Sequence, residues 1–276
     1  QMKSLQDALN RRGESADVVR DGAGKIKVHY RVSRNPLVSI IIPTKDRWDM
    51  LRQCIKSVES VTRYPSYEIV VVDNGSRTAK AKEYLSTLSK KWIIHRFPGP
   101  FNFSEINNYG ASKANGEFLL FLNDDTQVIA PEWMSAMVAQ AQRTGVGAVG
   151  AKLLYPSGMI QHAGVVLGIR GVAGHAFRHL RGDTQHYRGL PHMLRNCSAV
   201  TAACMLVSRD VFRQVNGFDE RLAVEFNDVD LCLRIQQQGY RIAYTPEAEL
   251  YHHENATRRG RRAPDDEARF RLKWGE

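Results

Sequence analysis

The sequence predicts an α/β fold with a doubly wound, mostly parallel central sheet. Its first half is organised like a nucleotide-binding domain and its second half is smaller and different. Three observations carry this. The runs Val38–Ile42, Glu68–Val72 and Phe118–Leu122 are short, apolar and β-branched or aromatic, as buried strands are. Between them apolar residues recur at helical spacing, which makes β-α-β units with parallel pairing and right-handed crossovers. Each run ends in a turn rich in Asp, Asn or Gly, at the edge where open sheets bind ligands.

In chain order, residues 1–35 are polar, broken by Gly13, Gly22 and Gly24, and read as a lead-in to a domain over 36–256. The chain opens on Gln1 rather than Met, which suggests a piece of a longer polypeptide with other domains. The strand Val38–Ile42 is closed by Pro43, and Trp48, Leu51, Ile55 and Val58 mark the next helix. Asp73-Asn74-Gly75 closes the second strand. Helices over 79–90, 104–115 and 131–143 then lead into strands at Trp92–His95, 118–122 and 147–154. Beyond 155 the alternation fades, with Gly158, His162, Gly164 and His175 suggesting loops and short strands. A strand Val200–Ser208, a helix Asn227–Gln238 ended by Gly239 and a strand Arg241–Thr245 follow. Residues 257–276 read as a basic tail or helix.

Composition excludes several classes. The chain of 276 residues, 43% hydrophobic and 25% charged, has ordinary globular values. No run approaches the roughly 20 apolar residues of a membrane span, and no secretory leader opens it. The four cysteines lack paired C-x-x-C spacing and fit buried thiols in a reducing, cytoplasmic compartment. The net charge of +10 implies an anionic partner. Apart from Arg258, Arg259, Arg261 and Arg262 the basic residues are scattered, and no nucleic-acid-binding signature accompanies them. A nucleotide-containing substrate, a phospholipid headgroup or an anionic membrane face fits the charge equally well. Gly145-x-Gly147-x-x-Gly150 matches the dinucleotide fingerprint only as a string. A helix precedes it and a strand follows, the reverse of what pyrophosphate binding needs, so Gly145 reads as a helix cap.

The chemistry-bearing residues lie at the strand ends. Asp124 and Asp125 follow the strand at 118–122, and adjacent carboxylates repel unless a cation, a shared proton or a basic group neutralises them. The alternative is a turn that caps the next helix. Pro43-Thr44-Lys45-Asp46-Arg47 and Asp73-Asn74-Gly75-Ser76 sit at the same edge. An Asp there can accept from a base N–H or ribose hydroxyls, or Asp46 and Asp73 merely cap helices. In Asn227-Asp228-Val229-Asp230, Asn227 reads as an N-cap with Asp230 at the third position. Asp228 then falls in the first turn, where the dipole favours a carboxylate able to take a proton from a hydroxyl. His252, in Tyr251-His252-His253-Glu254, supplies an imidazole for a mixed N/O site, and His253 points the other way in an extended segment.

Taken in order, Val38–Arg47, Ile69–Ser76, Asn108-Tyr-Gly110-Ala111, Phe118–Thr126, Gly217–Glu220, Asn227–Arg234 and Tyr251–Glu254 resemble an inverting family 2 glycosyltransferase with the glycosyltransferase-A fold. The likeness is to bacterial O-antigen and rhamnan-type transferase modules and spans about 36–256. It implies a nucleotide-binding first half and an acceptor-binding second half. It also implies that Pro43, Thr44, Asp46, Arg47, Asp73, Asn74, Asn108 and Asp124 bind the donor. Asp125 and His252 would hold Mn2+ or Mg2+, and Asp228 would be the catalytic base. The family commonly has Glu-Asp where this chain has Asn227-Asp228. The implied reaction moves a sugar from a UDP- or dTDP-sugar, dTDP-rhamnose among them, to a hydroxyl of a growing lipid-linked glycan at the inner face of the plasma membrane. Two other classes fit the residues: a nucleotide-sugar-binding module without turnover, and a metal-dependent phosphohydrolase or nucleotidyltransferase.

Overall fold

The computed structural model describes residues 1–20, 24, 26–254 and 263–275. The first half alternates as expected. Strand β3 (Val38–Thr44), helix α2 (Trp48–Val61), β4 (Tyr67–Asp73), α3 (Ala79–Leu88), β5 (Ile93–Arg96), α4 (Phe103–Lys113) and β6 (Phe118–Leu122) follow one another. The segment before them is not a featureless lead-in, for it holds α1 (Met2–Arg11) and a hairpin of β1 (Ala16–Arg20) and β2 (Ile26–Tyr30). It is tied to the domain by Glu14, whose carboxylate takes both Nε and Nη2 of Arg143.

The remainder comprises β7 (Thr126–Val128), α5 (Trp133–Ala141), β8 (Val146–Leu154), β9 (Ile160–His162), β10 (Val165–Leu167), β11 (Ala173–His175), β12 (Arg195–Cys197), β13 (Cys204–Ser208), α6 (Arg209–Gln214), α7 (Asn227–Gln237), β14 (Arg241–His252) and α8 (Pro264–Trp274). The main sheet runs β12-β14-β8-β13-β6-β3-β4-β5, with β7 paired to β14 and β9 to β8. From β6 through β3 and β4 to β5 every pairing is parallel. Strand β13 is antiparallel to both its neighbours, β6 and β8. The sheet is thus mixed, with the parallel block carrying the first half.

Alternation along each buried strand serves the two faces. Ile40, Ile42, Ile69, Val71 and Leu120 pack with Leu51 and Ile55 of α2 and Trp133 and Met137 of α5. Ile41, Val70, Val72, Leu119 and Phe121 pack with Ile106 of α4, Phe212 of α6 and Ile235 of α7. Gly110 explains how closely α4 approaches: a Cβ there would lie 2.6 Å from Ile41 Cγ2 and 2.9 Å from Val72 Cγ2. All four cysteines are free thiols, and Cys54, Cys204 and Cys232 are buried.

Several sequence expectations are corrected. Helix α5 ends at Ala141 with Gln142 as its C-cap, so Gly145, at φ +76°, forms the turn into β8 rather than a cap. Strand β13 begins at Cys204, not Val200. Asn227 is the first residue of α7 and not its cap. Phe226 caps the helix in a left-handed conformation at φ 60°. Asp230 makes no capping bond but takes Arg234 Nε at 2.8 Å and Trp274 Nε1 at 2.9 Å. The last strand does not stop at Thr245: β14 runs through a bulge between Thr245 and Glu249 and includes His252. Residues 264–274 are a docked helix, with Asp266 accepting the amides of Val224 and Glu225. The arginine cluster at 258–262 lies outside the described residues.

Candidate functional site

The carboxyl ends of β3, β4 and β6 form one edge. Proline is tolerated at the end of β3 because pairing with β6 stops at Ile41, so no ladder donor is missing at Pro43. Thr44 stands opposite Asp73 in the β3–β4 register, and its hydroxyl donates to Asp124 Oδ2 at 2.7 Å. Three strand ends are therefore joined through Thr44.

The two turns beyond this edge are laced together. Asp73 Oδ1 accepts the amide of Ser76 at 2.9 Å, and Ser76 Oγ accepts the amide of Asp46 at 2.9 Å. Asp46 Oδ1 takes the amides of Arg77 and Thr78 at 2.7 and 2.9 Å. Those backbone bonds hold its carboxyl below the usual carboxylate range. These bonds go to the turn before α3 and not to the first turn of a helix, so Asp46 ties the two turns together. Arg47 caps α2 and lies 3.9 Å from Asp49. Asn74 donates Nδ2 to Gly99 O at 2.9 Å, which fixes its amide orientation. Its Oδ1 is buried and has no hydrogen-bond partner. Asn74 lines a cleft of about 440 Å³ whose walls include Lys45, Arg77 and Arg96 and no carboxylate.

Asp124 and Asp125 occupy the turn between β6 and β7, and their environments push them apart. Burial raises Asp124 to about 7, with the Asp125 charge adding to it and the Thr44 bond opposing. Burial works the same way on Asp125, but the hydrogen bond and charge of His252 outweigh it and hold that carboxyl low. His252 Nε2 lies 3.1 Å from Asp125 Oδ1. Strand β14 delivers it there because His252 pairs with Thr126 of β7. Its Nδ1 lies 2.5 Å from Gln161 Oε1. An amide oxygen only accepts, so Nδ1 carries a hydrogen toward Gln161, and Nε2 is the ring nitrogen that faces Asp125. Asp125 Oδ1 is buried against His252 Nε2. The backbone amide of His253 is bonded to Asp125 O at 2.9 Å.

Asp228 stands in the first turn of α7, with Oδ2 accepting the amide of Ala202 at 3.2 Å and Oδ1 that of Val229 at 2.8 Å. Asn108, expected at the donor, is bonded to the loop that follows α6. Asn108 donates Nδ2 to Phe218 O and Glu220 Oε1 and accepts the amide of Phe218 on Oδ1. Both amide hydrogens and the oxygen thus clamp the Gly217–Glu220 loop to α4.

The sequence reading missed Gln161, His162, His175 and the cluster around Glu254. Glu254 Oε2 accepts from Tyr155 Oη at 2.9 Å and from Arg178 Nη2 at 2.9 Å. The available signal was Gln161-His162, two polar residues in an otherwise apolar stretch. Among the described residues no group of three or more His, Cys, Asp or Glu is placed to hold a metal, and no helix is long and apolar enough to cross a membrane.

Comparison with known proteins adds the following. A family model described as "Glycosyl transferase family 2" matches residues 39–215. An uncharacterised protein of Sinorhizobium fredii, y4gI, is 45% identical over 98% of this chain and 30% of its own length. The O-antigen biosynthesis protein RfbC of Myxococcus xanthus is 43% identical over 96% of this chain and 21% of its own. The chain thus spans under a third of either relative. The solved structure of a mannosyltransferase from Pyrobaculum calidifontis, in complex with GDP-Man and Mn2+, superposes with a TM-score of 0.63 at 14% identity. That match covers 92% of this chain and 65% of the other. At that identity the likeness establishes the fold alone, glycosyltransferase-A.

Proposed function

Because the chain belongs to glycosyl transferase family 2, we propose that it transfers a sugar, with inversion, from a nucleoside diphosphate donor to a hydroxyl of a growing surface glycan. The observation that supports the reading is a chain of contacts from Asp125 through His252 to Gln161 on β9, whose neighbour His162 shares the Thr201–Ala202 turn with Asp228. Asp125 meets His252 directly, and the Thr201–Ala202 amides link Asp228 to the neighbouring β9 residue His162.

Asn74 Oδ1 supports a uridine or thymidine donor. A buried acceptor with no partner suits the ring N–H of an imide base, and Lys45, Arg77 and Arg96 suit its carbonyls and the diphosphate. A dTDP-sugar such as dTDP-rhamnose and a UDP-sugar both meet these requirements. Asp73 and Thr44, each next in sequence to a residue of that cleft, suit the ribose.

A divalent cation, Mn2+ or Mg2+, fits Asp125 and His252. Asp125 Oδ1 is buried beside His252 Nε2, and the Gln161 bond occupies His252 Nδ1, which leaves Nε2 as the ligating nitrogen. Two protein ligands leave the other positions to diphosphate oxygens and water. When bound, the cation supplies charge neutralisation for the departing nucleoside diphosphate.

Asp228 takes the proton of the acceptor hydroxyl as its oxygen attacks the anomeric carbon from the face opposite the leaving group. The outcome is inversion, with no covalent sugar–enzyme intermediate. Asn227 leaves the base without the neighbouring acidic charge common in the family. The likeness to RfbC supports a lipid-linked O-antigen-type acceptor. The net charge of +10 supports docking at an anionic inner-membrane face.

The test is a panel of nucleotide sugars screened for thermal stabilisation with and without Mn2+, followed by NMR of the anomeric configuration of the product. Stabilisation by a UDP- or dTDP-sugar that needs Mn2+, with an inverted product, is expected. A retained configuration would overturn the reading. Nucleotide consumption without glycosylation would favour the hydrolase class, and donor binding without turnover the binding module.

A further inference from the structure

Two histidines beside the site take no chemical role in the reading above. His162 is buried on β9, and its Nδ1 lies 2.8 Å from Nδ1 of His175, the last residue of β11. Their rings meet edge to face, with centroids 5.0 Å apart. Nitrogens at this distance share one hydrogen, so one ring donates and the other accepts.

The far side of His162 decides the direction. Its Nε2 receives the amide of Gly164 at 3.2 Å and faces that of Thr201 at 3.5 Å. Nε2 is therefore an acceptor, and the hydrogen of His162 is on Nδ1. His162 donates to His175, and the neutral His175 carries its own hydrogen on Nε2. Burial favours the uncharged form of both rings.

The backbone fixes this pair against the site. Val165 pairs with His175 and donates its amide to Ala199 O at 2.8 Å. Ala176 donates to Gly164 O at 2.9 Å. Two residues beyond Ala199, consecutive amides serve two groups: Thr201 faces His162 Nε2, and Ala202 binds Asp228 Oδ2 at 3.2 Å. Of the charges acting on His175, that of Asp228 is the largest, followed by Arg178, Glu254 and His252. His162 is 1% exposed, whereas His175 is half-buried.

We infer that His175 is an acceptor-binding residue, and that His162 is the positioning residue that fixes its hydrogen on Nε2. The attacking hydroxyl gives its proton to Asp228, while the Nε2–H of His175 donates to a neighbouring oxygen of the same sugar. The acceptor class is a sugar carrying an oxygen vicinal to the attacking hydroxyl. This rests on Asp228 as the base.

The experiment uses the whole chain labelled with ¹⁵N-histidine, read by long-range ¹H–¹⁵N spectra at neutral pH. His162 is expected as the Nδ1–H tautomer and His175 as the Nε2–H tautomer. Asp228→Asn is expected to move the His175 ring signals, and His162→Phe to abolish its single tautomer. An Nδ1–H tautomer for His175, or signals unmoved in Asp228→Asn, would overturn the proposal. In transfer assays from UDP- and dTDP-sugars to a panel of octyl glycosides, His175→Ala is expected to raise acceptor KM about tenfold, as one lost hydrogen bond does. Donor KM should hold, and His175→Gln, whose Nε2 overlays the imidazole Nε2, should restore part of the effect. Loss confined to kcat at unchanged acceptor KM would contradict it. If Asp228→Asn transfers like the parent chain, the base reading fails, whereas the tautomers judge the histidine pair separately.

Discussion

Gln161 holds His252 at two points. Its Oε1 lies 2.5 Å from His252 Nδ1, and its Nε2 donates to His252 O at 3.3 Å. The ring that faces Asp125 is thus oriented by a residue on β9, 91 positions earlier in the chain. Gln161→Leu keeps the volume and loses both bonds. It is expected to weaken Mn2+ binding by about 10- to 100-fold, the usual effect of losing a partner behind a metal ligand. Free Mn2+ measured by electron paramagnetic resonance in the presence of UDP checks this, and unchanged affinity would contradict it.

Asn108 works as a clamp, so its loss should affect folding rather than the donor. Asn108→Ala breaks three bonds to Phe218 and Glu220, at 2.9, 3.0 and 2.9 Å. A cost of about 1–3 kcal/mol is expected, since partners are left unsatisfied. Urea unfolding measures it, and donor affinity in the folded variant should equal that of the parent. Selective loss of donor binding at unchanged stability would restore Asn108 to the donor site.

Gly110 is a packing requirement. With a new Cβ placed 2.6 Å from Ile41, Gly110→Ala forces α4 off the sheet and should cost about 1–3 kcal/mol. A melting temperature equal to that of the parent would show that α4 has room.

Glu68 gives a pH signature remote from the site. Burial pushes its carboxyl up, but bonds from Ser39 and Asn115 outweigh burial and leave it below the ordinary value of 4.5. A lowered folded value means that the stabilisation is complete above the unfolded value and is lost as pH falls through the folded one. The melting-temperature gap between the parent and Glu68→Gln should therefore be largest at neutral pH and close well below 4.5. A gap constant across that range would contradict the bonding.

What could be read from the sequence follows from the length scale of the signal. Strands β3, β4 and β6 are buried on both faces, so their apolar runs announce them, and β6 ends at Leu122 as expected. Strand β14 was cut short because Pro246, Glu247 and Glu249 interrupt its pattern where the chain bulges. The N-cap of α7 was misplaced because capping preferences favour Asn227, whereas the chain turns at Phe226 with positive φ. Gln161, His162 and His175 were illegible as site neighbours for a different reason. They sit on three-residue strands, and the meaning of Gln161 and His162 lies in partners 91 and 13 positions away. Asp124, Asp125 and Asp228 stand out in the sequence as candidates because strand ends and helix first turns are places where carboxylates meet ligands.

The most direct test measures donor affinity and sugar transfer on one preparation of Asp228→Asn. Donor binding in the presence of Mn2+ should stay within about twofold of the parent, and transfer should fall by roughly 10²- to 10⁴-fold, the contribution of a positioned base. Transfer at the parental rate would contradict the account.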